Sequence, residues 1–94
     1  MTLETEPIIN QVTVTEKKLI VELTDGRILS VPISWYPRLV YANQTERQKW
    51  EIIGNGYGIE WIDLDEHISI EGLLAGRRSG ESQTSFVRWL KKRQ

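Results

Sequence analysis

The chain has 94 residues, no cysteine, 39% hydrophobic and 27% charged side chains, and a formal net charge of −1. A chain of this length buries roughly 60–65% of its unfolded surface around one core and leaves no room for a second domain. The lack of cysteine excludes disulfides and thiolate metal centres, so four tryptophans, three tyrosines and one phenylalanine must supply the large burial. The acidic stretch over residues 1–6 is unlike a secretory signal, and no apolar run approaches the ~18 residues of a membrane span; a cytoplasmic protein is expected.

In chain order, a polar stretch over residues 1–10 precedes residues 11–16, whose β-branched alternation predicts a strand, with a turn at Lys17-Lys18. Residues 19–24 and 27–33 flank Asp25-Gly26, a strong hairpin signal. A two-residue loop would pair Thr24 with Arg27 and mix apolar and polar side chains on both faces. A three-residue loop, Thr24-Asp25-Gly26 with Gly26 left-handed, pairs Leu23 with Arg27 and Val21 with Leu29 instead. Leu19, Val21, Leu23, Leu29, Val31 and Ile33 then share one face, and because a one-residue slip exchanges faces, the three-residue form is expected.

Ser34 is placed to cap a helix with Pro37 in its first turn and Leu39 and Val40 pointing inward. Asn43-Gln44 interrupts it, and Thr45 to Gln48 has capping-box spacing for a second helical piece through Trp50. Residues 50–54 and 58–62 predict a second hairpin with Asn55-Gly56 at its tip. Residues 67–70 are too short to assign, and residues 70–75 predict one helical turn stopped by Gly76. Ser82 then opens a final helix on which Phe86, Trp89 and Leu90 lie at i, i+3 and i+4. The sum is a single α+β domain: a small antiparallel sheet of about five strands in two hairpins, short central helices, and the helix of residues 82–94 on one face.

The hairpin ending in Asp25-Gly26-Arg27, then Trp35-Tyr36-Pro37-Arg38-Leu39, Glu46-Arg47, Gly58-Ile59-Glu60-Trp61, Leu64-Asp65-Glu66, Ile68-Ser69, Gly72-Leu73-Leu74 and Gly76 resemble the DUF2442 family of small bacterial proteins. The likeness runs from about Val12 to Gly76, placing a family core over residues 11–76. It implies an α+β domain with a small antiparallel sheet and helices on one face. It also implies, for members encoded beside a small DUF4160 protein, a toxin–antitoxin arrangement. It transfers no catalytic residue and no cofactor. Where the family pattern has His-Trp-Pro and Asp-Glu-Asp, this chain has Glu60-Trp61-Ile62 and Asp65-Glu66-His67.

Three constellations have chemical potential. The densest is Asp63, Asp65, Glu66 and His67. As a calcium loop it fails, because Ile68 stands where Gly is needed and Leu74 where a bidentate Glu is needed. As a transition-metal site it offers a single imidazole, so no metal is expected and Asp63 or Asp65 is read as a cap on the following turn. His67 lacks a cysteine partner, and Ser69 two residues on does not make a triad.

The second is Trp35, Arg38, Arg47 and Trp61, an arginine–aromatic set of the kind that anchors interfaces; the competing reading places the tryptophans in the core and pairs Arg38 with Glu46. The third is the basic end of the last helix, Arg88, Lys91, Lys92 and Arg93. Residues 1–81 carry 8 basic and 13 acidic side chains and residues 82–94 four basic and none acidic, so the chain is electrically dipolar. Four charges on one helix support at most modest, non-specific nucleic-acid binding against a body at −5.

The expected function is therefore non-enzymatic: a protein-interaction module binding a small partner, DUF4160-like by the resemblance, through Trp35, Arg38, Arg47 and Trp61. A DNA-associated regulator using Arg88, Lys91, Lys92 and Arg93 is the alternative, and an enzyme at the Asp63–His67 cluster a third. Exposed strand edges or the Phe86/Trp89 helix leave a homo-oligomer open.

Overall fold

The computed structural model describes residues 6–93. Most of the acidic stretch over residues 1–6, and Gln94, lie outside the described residues. The expected polar segment ends earlier than residue 10, because β1 (Ile9–Val14) has already begun at the buried Ile9. A turn follows in which the Thr15 hydroxyl accepts from the backbone N–H groups of Lys17 and Lys18. It leads into β2 (Lys18–Leu23) and β3 (Ile28–Pro32).

The hairpin takes the register expected from its faces. Val21 stands opposite Leu29, the Leu23 N–H donates to the Arg27 carbonyl at 2.8 Å, and Gly26 adopts φ +94°. Leu19, Val21, Leu23, Val31 and Ile33 are all buried.

Pro32 cannot donate to a ladder, and β3 stops there. A single helical turn over Ile33–Trp35 follows, then α1 (Pro37–Val40) and α2 (Gln44–Arg47). Two caps differ from expectation. Ser34 lies inside the first turn, and α1 starts from Tyr36 with Pro37 at N1, where a missing N–H is harmless. The capping box belongs to Asn43 and Glu46: the Glu46 N–H donates to Asn43 Oδ1 at 2.8 Å and the Asn43 N–H donates to Glu46 Oε1 at 3.0 Å. Asn at the cap with Glu at N3 satisfies two helix-end donors at once, so the helix starts there and ends before Trp50.

The second hairpin comprises β4 (Glu51–Ile53) and β5 (Gly58–Trp61), joined by a turn in which Asn55 has φ +57° and Gly56 φ +94°. A Cβ at Gly56 would meet the Ile8 side chain at 2.7 Å, so this turn needs glycine for space as well as for its dihedral. The chain then reverses through Ile62–Leu64 and a left-handed Asp65 into β6 (Glu66–Ser69), the strand that the sequence left unassigned. α3 (Ile70–Leu74) is capped by the Ser69 hydroxyl, which accepts from the Gly72 N–H at 3.0 Å, and a left-handed Gly76 follows.

The fold is α+β, with six strands in two antiparallel three-stranded sheets, β1-β2-β3 and β4-β5-β6, where one sheet of about five was expected. Alternation specifies faces and hairpins; it carries no instruction about whether two hairpins join. Here Pro32 and the helical stretch between them keep them apart. The inner faces of both sheets, with Tyr36, Leu39, Leu64, Ile70 and Leu73, form one core around the fully buried Trp61. The Trp61 indole N–H donates to the Arg47 carbonyl at 3.0 Å, and Gln48 Nε2 donates to the Val14 carbonyl at 3.1 Å, which ties α2 to both sheets.

The last helix, α4 (Gln83–Arg93), begins where Ser82 Oγ accepts from the Ser85 N–H. It differs from the expected helix packed on a sheet: none of its residues is fully buried. It meets α1 and α2 through Tyr41–Phe86, Arg38–Trp89 and Glu46–Arg93, with half-buried Trp89 against the core. No helix among the described residues is long and apolar enough to cross a membrane.

Candidate functional site

A cleft of about 410 Å³ lies between β6 with the start of α3 on one side and residues 77–81 on the other; Tyr36 and Arg38 line it as well. Arg38 organises it. Carried on α1, its guanidinium donates from Nη1 to the carbonyls of Leu64 and Asp65, both at 3.0 Å, and from Nε to the two Glu81 oxygens at 2.9 and 3.0 Å; Nη2 also pairs with Glu81. Glu81 accepts in addition from the Ser85 hydroxyl at 2.8 Å. The Arg38 hydrogen bond holds the Glu81 carboxyl below its usual range, and Glu81 in turn raises Arg38. A planar fork facing a carboxylate and two carbonyls fixes residues 79–85 to the β5–β6 connection, bridging 43 positions of sequence.

Cross-strand pairing places Glu66 beside Trp61 on the inner face of its sheet, and Trp61 is core. Burial pushes the Glu66 carboxyl up, with the His67 N–H and the Arg38 charge opposing; Oε1 is buried without a hydrogen-bond partner among the described residues. Burial, then the Glu66 charge, also pushes the neighbouring Tyr36 phenol up to about 12. His67 faces the opposite way, opposite Glu60, with its ring over Gly58: a Cβ there would lie 2.8 Å from Nε2.

The four residues of the Asp63–His67 cluster therefore diverge. Asp63 pairs with Lys49 at 3.6 Å, the Asp65 side chain is 97% exposed, Glu66 points inward and His67 outward. Neither aspartate caps a helix; Asp65 makes the left-handed turn before a strand, and Ser69 caps α3 in its place. No group of three or more His, Cys, Asp or Glu side chains that could hold a metal ion occurs among the described residues.

The four expected anchor residues are likewise separated. Trp61 has 0% exposure and cannot touch a partner without unfolding. Arg47 donates from Nε to the Leu39 carbonyl at 2.8 Å and from Nη2 to the Val40 carbonyl at 2.9 Å, capping the last two carbonyls of α1. Arg38 does not pair with Glu46; it holds Glu81, and Glu46 holds Arg93 at 2.7 and 2.9 Å. Trp35 remains half-buried, with the Arg78 guanidinium 5.5 Å from its ring centroid. Of the basic quartet, Arg93 is drawn onto Glu46 and Trp89, whereas Arg88, Lys91 and Lys92 are exposed. Residues that sequence reasoning passed over, Arg77, Arg78 and Glu81, form the far wall of the cleft. The adjacent arginines after Gly76 were the available signal.

The sequence pattern of the family described as "Protein of unknown function (DUF2442)" matches residues 9–79, which include Tyr36, Arg38 and the β6 wall of the cleft but not Glu81 or α4. Among solved structures, a crystal structure of a protein of unknown function from Rhodospirillum rubrum is similar at 28% identity and TM-score 0.70, covering 84% of this chain and 98% of its own. A solution structure of an uncharacterized protein from Chromobacterium violaceum, 24% identical with TM-score 0.66, covers 86% of this chain and 74% of its own and shares the fold. No curated protein matches the sequence.

Proposed function

Because the chain belongs to DUF2442, a family of unknown function, we propose that it acts as a non-catalytic protein-binding module for a small partner, in the manner of an antitoxin or accessory subunit beside a DUF4160-like protein. The observation that carries this is the Trp35–Arg78 pair next to the cleft. Arg38 and Arg47 are engaged by internal acceptors, whereas Arg78 lies over a half-buried indole with no hydrogen-bond acceptor among the described residues, and the Arg77 side chain beside it is held only by Glu71 at 3.7 Å. Arginine stacked on tryptophan at a surface is what interface hot spots are made of.

The Ser69 hydroxyl, engaged as a helix cap, and the His67 ring, packed over Gly58, support a binding role over acid–base chemistry at this cleft. The test is co-expression with a DUF4160-like protein, followed by calorimetry. The expected result is a stoichiometric complex weakened at least tenfold by Trp35→Ala or Arg78→Ala. Failure to bind, or indifference to both changes, removes the reading.

One observation favours a second reading, a DNA-associated regulator: Arg88, Lys91 and Lys92 share the outward side of α4 without ion-pair partners among the described residues. DNA affinity that falls steeply with salt and disappears in the triple alanine variant would select it.

A further inference from the structure

β6 is paired on one side only, with β5. The Ile70 N–H donates to the Tyr57 carbonyl at 2.9 Å, which makes 57 and 70 a hydrogen-bonded pair. Alternation along an antiparallel ladder gives the same status to Ile59 with Ile68 and Trp61 with Glu66, and it turns the backbone groups of His67 and Ser69 away from β5, towards the cleft. The His67 N–H reaches only its neighbour's carboxylate, Glu66 Oε2, at 3.3 Å. The His67 carbonyl and the Ser69 N–H have no partner among the described residues.

The preceding stretch of the same edge is closed. Arg38 Nη1 occupies the carbonyls of Leu64 and Asp65, so the guanidinium stands where an added strand would run, and the edge opens at β6 itself. The facing wall is fixed without being a strand: the Arg77 N–H donates to Gly72 and the Ser79 N–H to Trp35, both at 2.9 Å. A donor, an acceptor and a second donor along four residues of edge are complemented by another extended backbone. At ~3.3 Å per residue in both strands, about four residues of it span the four-residue β6.

We propose that the cleft receives an extended peptide segment of a partner protein as an added strand on β6, with acidic side chains directed to Arg77 and Arg78. This deepens the protein-binding reading and rests on it. The cleft's own carboxylates leave those arginines available: Glu81 is neutralised by Arg38, Asp65 is turned to solvent and burial disfavours the charge on Glu66, while the 3.7 Å pair of Arg77 with Glu71 is solvent-exposed on both sides and open to exchange.

The experiment is an amide NMR titration of the full chain with three capped hexapeptides: alternating Val-Glu, alternating Val-Lys, and the Val-Glu peptide N-methylated at every second residue. The Val-Glu peptide is expected to shift the amides of His67, Ser69 and residues 77–80, and to bind at least tenfold more tightly than the Lys or N-methylated peptide. His67→Pro, which blocks an outward-facing N–H at an edge where proline is tolerated, is expected to abolish these shifts while His67→Ala retains them. Should the proline variant not fold, Arg77→Glu with Arg78→Glu is expected to reverse the preference from the Glu to the Lys peptide. Equal binding of the N-methylated peptide, or shifts confined to α4, overturns strand addition. If the co-expressed partner still binds through Trp35 and Arg78 with the His67 and Ser69 amides unprotected from exchange, strand addition fails and the protein-binding reading stands.

Discussion

Trp61 and Trp89 show how differently the body and α4 are attached. Trp61 has no exposed surface, is enclosed by both sheets, and its indole N–H is satisfied by the Arg47 carbonyl. Trp89 is half-buried between two cations, Arg38 at 5.2 Å and Arg93 at 4.6 Å, and stacks on Phe86 at 5.8 Å. Apolar burial holds the first in place whatever the ionic conditions. The second is held by charge, through Arg38–Glu81 and Glu46–Arg93 as much as through the ring. The same residue type thus builds a core in one region and a strap in the other, and the strap helix lies outside the residues that match the family.

The largest effect that can separate the two regions is Trp61→Ala, expected to cost about 3–5 kcal/mol in urea unfolding. Trp89→Ala is expected to cost about 1–2 kcal/mol, with the body's transition preserved. Equal losses would break the distinction. Next, Arg38→Ala removes a fork that serves α1, the β5–β6 connection and Glu81 together. A loss of about 2–3 kcal/mol is expected, below that of a fully buried pair, with hydrogen-exchange protection lost first across α4.

Acid titration sharpens the contrast because the two regions respond with opposite sign. The Arg93 hydrogen bond, then the Asn43 N–H, holds the Glu46 carboxyl down at about 2. A depressed carboxyl stabilises above its unfolded value and loses that contribution as pH falls through the folded one, so amide protection of α4 should decay between the ordinary carboxylate range and about pH 2. Burial raises Glu66, so its contribution is full below the ordinary carboxylate range and is lost as pH rises through its raised value. Glu66→Gln is therefore expected to stabilise the body at neutral pH and to change nothing in strong acid, as read by thermal unfolding across pH. The smallest effect is that of salt: 1 M NaCl should weaken α4 docking by less than about 1 kcal/mol and leave the body unmoved.

What the sequence disclosed follows the range of the interaction. The first hairpin's register was legible because a single slip would set the three apolar side chains of one strand on the opposite face from the three of the other. The start of α4 at Ser82 and the stop at Gly76 were legible because a cap is a local event. The mistaken cap at Thr45 shows the limit of spacing alone, since Asn43 offers Glu46 the same reciprocal bonds two residues earlier. β6 escaped because four residues with a carboxylate on the core side do not alternate cleanly. The cleft escaped for a different reason: Arg38 and Glu81 are 43 positions apart, and an ion pair formed by the closing of the fold leaves no periodic trace.

Glu46 has one further consequence, and it concerns the order of events. Its Oε1 accepts both from the Asn43 N–H and from Arg93, so the carboxylate that starts α2 also receives the end of α4. The box joins residues three apart, while the arginine comes from 47 positions away. Closing the short loop costs less entropy than closing the long one. On that ground the carboxylate is expected to be aimed before Arg93 arrives, with α4 docking last. Arg93→Ala should then hasten the departure of α4 and leave the folding rate of the body untouched.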